Sequence, residues 1–93
     1  MSDYTKPMDE EFKMWIMERF ARLDYEHKKA LFLQVKSDPR KAQEMIREYF
    51  RTWGHEYCQE TKKPVMLRLG RDPLEILVAI RERFADEINA VAA

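Results

Sequence analysis

The run Asp72-Pro73-Leu74-Glu75, leading into Ile76-Leu77-Val78-Ala79-Ile80, constrains the fold more than any other part of the chain. An aspartate can accept hydrogen bonds from the first free backbone N–H groups of a helix. Proline suits the first helical position, where its missing N–H is no loss. A glutamate three residues after the cap completes a capping-box-like pattern at the positive end of the helix dipole. Leu77, Ile80, Phe84, Ile88 and Val91 then recur at steps of three and four. That spacing is one face of an α-helix, which predicts a helix over 72–90. Such a stripe must find an apolar partner.

Three earlier stretches repeat the design. Asp9 precedes Glu10 and Glu11, and Phe12, Trp15, Ile16, Phe20 and Leu23 follow at helical steps, predicting a helix over 9–23. Asp24 reads as a stop and restart, capping a second helix over 25–36 that carries the apolar run Ala30-Leu31-Phe32-Leu33. Asp38-Pro39 starts a third over 38–53, with Ala42, Met45, Ile46, Tyr49, Phe50 and Trp53 as its stripe. Gly54 is the expected C-cap of that helix, with a further helical turn over 55–61. If the helix runs on instead, Tyr57 joins Tyr49 and Trp53 in a ladder. Residues 1–8 read as a flexible lead-in and 9–93 as a single domain. Pro64 ends the helical signal, and 64–69 reads as an extended connector rather than a strand, because a lone strand would lack a partner.

Composition supports helices: among 93 residues there are only 2 Gly and 4 Pro. A single Cys allows no internal disulfide. The N-terminal segment has no hydrophobic signal region, and no uncharged apolar run is long enough to cross a bilayer, so a soluble cytoplasmic protein is expected. The formal net charge is zero but unevenly spread, with a basic excess in 28–71 between two acidic ends. Either the basic middle binds an acidic partner, or the acidic end helices pack beside it and neutralise it; the second is preferred.

Sliding the sequence by 34 residues aligns 37–50 with 71–84, matching Asp38/Asp72, Pro39/Pro73, Ile46/Ile80 and Phe50/Phe84 among others. Helical repeats share this period, but at most two units would fit where about three are needed for stability. Chance recurrence of capped amphipathic helices is the preferred explanation.

Little in the chain resembles reaction chemistry. His55 and Cys58 lie three residues apart, with Glu56, Glu60 or His27 as further ligands, but zinc wants four ligands and two are half a site. Two glycines cannot write a phosphate-binding loop. No catalytic, cofactor-binding or metal residue is expected. The remaining signal is 2 Trp, 4 Tyr, 5 Phe and 6 Met, residue types enriched with Arg at protein interfaces. The expected fold is all-α, a compact bundle of four or five short helices. The expected function is that of a non-catalytic protein-binding module, an accessory subunit, adaptor or regulator. Its expected contact residues are Met45, Tyr49, Trp53, Tyr57, Met66, Arg47, Arg51 and Arg68, and its partner is a larger protein or a second copy. Nucleic-acid binding through the basic middle is the alternative.

Overall fold

The structure, a computed structural model, describes residues 8–65 and 71–91. These form α1 (Glu10–Ala21), α2 (Tyr25–Ser37), α3 (Pro39–Thr61), α4 (Asp72–Arg83) and α5 (Ala85–Ala90), with no strand among the described residues. The aspartate caps explain three of the starts. Asp9 accepts from the Phe12 N–H at 3.0 Å, Asp24 from His27 at 2.9 Å and Asp38 from Lys41 at 3.3 Å.

Helix α3 is the spine, and α1, α2 and α4 all pack on it. Its 23 residues make a rod of about 34 Å at ~1.5 Å per residue, in a molecule of 41 × 28 × 19 Å. The helical stripes meet in one core, with Phe12, Ile16 and Phe20 from α1, Leu31, Phe32 and Val35 from α2, and Ile46 and Phe50 from α3. Ile76, Leu77 and Ile80 of α4 close it, and Phe84 and Ile88 carry it onto α2.

Four boundaries correct the sequence reading. Helix α3 does not stop at Gly54 but continues to Thr61, where Lys62 takes the left-handed cap conformation. Gly54 is buried, and a residue without Cβ allows close approach at that point. The predicted helix over 72–90 bends at Phe84 into α4 and α5. The bend keeps its hydrogen bonds: Phe84 N–H donates to Ile80 O at 2.9 Å and Ile88 N–H to Phe84 O at 2.8 Å. It sets the Phe84 ring 5.5 Å from Phe32 and brings α5 against α2.

Asp72 does not cap α4. Arg71 holds the cap position and Asp72 is the first helical residue, 1% exposed. Met8, expected in a loose lead-in, is buried in the core, and its N–H donates to Glu75 Oε2 at 3.3 Å. Residues 1–7 of that lead-in, and 66–69 of the expected connector, lie outside the described residues, while Pro64 and Val65 are non-helical.

The acidic ends do reach the basic middle. Lys28 pairs with Glu87 at 3.7 Å, Lys63 with Glu11 at 2.7 Å, and Lys36 Nζ donates to the Val91 carbonyl at 3.0 Å. Two more bridges tie α1 to α4, Lys13–Glu75 at 3.8 Å and Arg83–Glu18 at 2.7 Å. None of the described helices is long and apolar enough to cross a membrane.

Candidate docking face

The aromatic residues of α1 and α3 share a seam. Phe12 meets Phe50 and Tyr57 edge-on at 5.9 and 5.1 Å. Phe20 meets Tyr49 and Trp53 edge-on at 5.4 and 4.7 Å, and Trp15 meets Tyr57 at 5.5 Å. Tyr49 and Trp53 stack at 4.4 Å, as their four-residue spacing on one helix allows. Over the seam lies the Arg19 guanidinium, 5.7 Å from the Trp15 ring and 5.4 Å from the Trp53 ring, donating to Glu56 at 2.8 Å. Cation–π contact and ion pair together fix that side chain across two helices.

Burial sorts the expected contact residues. Trp53 is 5% exposed and Tyr57 4%, so both are core residues that offer a partner little surface of their own. The reason is periodicity. Once α3 runs through Gly54, Trp53 and Tyr57 fall on the stripe of Ile46 and Phe50, against α1. Tyr49 and Met45 are half-buried on one flank of the same helix. Arg47 is half-buried, and Arg51 is exposed with Glu48 at 3.1 Å; both join Met45 around a polar depression over the outer face of α3. Met66 and Arg68 lie outside the described residues. The six described residues therefore do not form one surface.

Another concavity, with a more varied lining, opens where the end of α1, the start of α2 and the middle of α3 meet. Its volume is about 450 Å³, and Leu23, Tyr49 and Trp53 form its apolar part. Arg19, Arg22, Asp24 and His27 form the polar rim. Asp24 is held below the usual carboxylate range, first by the His27 backbone N–H and then by the His27 ring, whose Nδ1 lies 2.6 Å from Oδ1. Partial burial, with the Asp24 charge as a lesser cause, pushes the Tyr49 phenol up. Both groups therefore keep their ordinary protonation near neutral pH, the carboxylate charged and the phenol neutral.

Sequence reasoning placed Leu23 in the α1 stripe and passed over Arg19, Arg22 and Asp24 as contacts. The missed signal was adjacency, because Asp24 ends one helix and starts the next, folding the tail of α1 back beside the middle of α3. The other chemical candidates disperse. His55 is exposed, Cys58 is half-buried, Glu56 is taken by Arg19 and His27 by Asp24. Among the described residues, no group of three or more His, Cys, Asp and Glu is placed to hold a metal. Comparison with protein families, with characterised proteins and with solved structures finds no match to this chain.

Proposed function

We propose that the protein is a non-catalytic protein-binding module, a small cytoplasmic accessory or regulatory subunit, that docks a larger protein on the α1–α3 flank. One observation carries the reading: half-exposed Trp15, Arg19, Leu23 and Tyr49 lie over the core in or beside an open concavity. Aromatic residues and arginine held rigidly by packing lose little freedom on binding and dominate the energetics of known interfaces. The nucleic-acid alternative is weakened by the ion pairs Lys28–Glu87 and Lys63–Glu11, which take up part of the basic excess.

The test is quantitative affinity capture from the native host with the wild-type chain, Tyr49→Glu and Leu23→Glu, with Arg51→Glu as a control on the outer face. Loss of the same partner with the two flank variants, but not with the control, supports docking there. Unchanged capture by folded Tyr49→Glu would remove the assignment. A gel shift with mixed DNA and RNA that weakens with salt would favour the alternative instead.

A further inference from the structure

A second concavity lies between α2 and α5 and shares no lining residue with the docking face. We infer that it binds an amphipathic monoanion: a carboxylate joined to an aliphatic or aromatic body of moderate size. Its volume is about 320 Å³, at the low end of the ~300–1,000 Å³ typical of small-molecule sites. Phe32, 2% exposed, forms the buried wall, with Ala90 and Val91 opposite on the C-terminal segment. Tyr25, 71% exposed, stands at the opening and offers a ring face to an occupant.

The rim charges select the sign of the occupant. Lys28 is matched by Glu87 at 3.7 Å. Lys29 lies 5.9 Å from the Tyr25 ring and, among the described residues, has no carboxylate within ion-pair distance. The lining therefore carries one net positive charge beside an apolar wall. A carboxylate placed at Lys29 completes the charge balance, while its apolar body displaces water from Phe32 and Val91.

The experiment titrates the intact chain with octanoate, 3-phenylpropanoate, octylammonium and octanol, following backbone amide shifts and heats of binding. Octanoate or 3-phenylpropanoate is expected to perturb α2 and α5 around Phe32 and Val91, and the stronger of the two tells an acyl chain from an aryl body. Octylammonium is expected to bind about tenfold more weakly, as is the anion to Lys29→Gln, which is what one lost charge-assisted contact removes. Ala90 is exposed, so Ala90→Trp fills the concavity without disturbing the core and is expected to abolish binding. Equal binding of cation, alcohol and anion would mark the concavity as a seat for an apolar side chain of a protein and overturn the proposal. Shifts mapping elsewhere, or none with any probe at millimolar concentration, would overturn it as well. Either failure leaves the docking reading of the α1–α3 flank standing.

Discussion

Lys62 ends α3 with φ 59° and ψ 23°, the left-handed region in which a Cβ crowds the following carbonyl. Its N–H donates to the Cys58 carbonyl at 3.0 Å, so the conformation closes the helix. Glycine takes this geometry without strain, and Lys62→Gly is expected to raise unfolding stability by about 0.5–1 kcal/mol, part of the gain being offset by the freer unfolded chain. Denaturant titration at neutral pH measures it, and a lower midpoint would contradict the strain argument. Asp24 offers a pH test. Its folded pKa lies below the unfolded value of ~3.9, so its contribution is full above that pH and lost as pH falls through the folded value. The protection of the His27 amide against exchange, relative to its intrinsic rate, should fall as pH drops through the folded Asp24 value in the wild type. In Asp24→Asn, whose neutral amide also caps helices, that acid step should vanish.

At the scale of elements, the capped starts and apolar stripes were readable because each depends on neighbours within one helical turn. Asp9, Asp24 and Asp38 all cap as their position in the sequence implies. Asp72 does not, although Asp72-Pro73 repeats the letters of Asp38-Pro39. Asp38 is exposed and caps its helix, whereas Asp72 is buried inside one, so the 34-residue echo is not structural at its start. It is structural in the stripe, where Ile46 and Ile80 are both fully buried. Gly54 and Phe84 were misread because tertiary packing decided them. A helix-interior glycine costs about 1 kcal/mol in propensity, yet α3 passes straight through the buried Gly54. Gly54→Ala should therefore destabilise by about 1–3 kcal/mol through overpacking, against the sign seen at exposed helix glycines. Thermal melts of that variant decide it, and a higher Tm would show that the site has room for a methyl group.

For the whole molecule, Trp53 and Tyr57, two of the aromatic residues that suggested an interface, turn out to hold the bundle together. A count of Trp and Tyr cannot tell a seam from a surface. What decides is which helix lies across from them, and that is not written locally. Trp53→Ala is therefore expected to lose about 3–5 kcal/mol of stability, a large part of the ~5–15 kcal/mol available to a domain. Loss of partner binding in that variant would then report unfolding rather than a missing contact. Tyr49→Ala, at a half-buried position, should keep the helical circular dichroism while weakening capture, which separates the two cases. The helical class and most element boundaries could be read from the chain. The concavity between α1, α2 and α3 could not, since its residues come from three helices and their junction that only the fold brings together.

The placement of Trp15 and Trp53 around Arg19 has a spectroscopic consequence. Both indoles of the chain lie on the α1–α3 seam, so their emission registers the opening of that seam alone. Helices α4 and α5 carry no tryptophan and would melt silently to fluorescence while still lowering the far-ultraviolet helix signal. Overlaying the two melting curves therefore divides the molecule optically: coincident curves mean that it unfolds as one cooperative body, and an early loss of ellipticity means that the C-terminal pair lets go first.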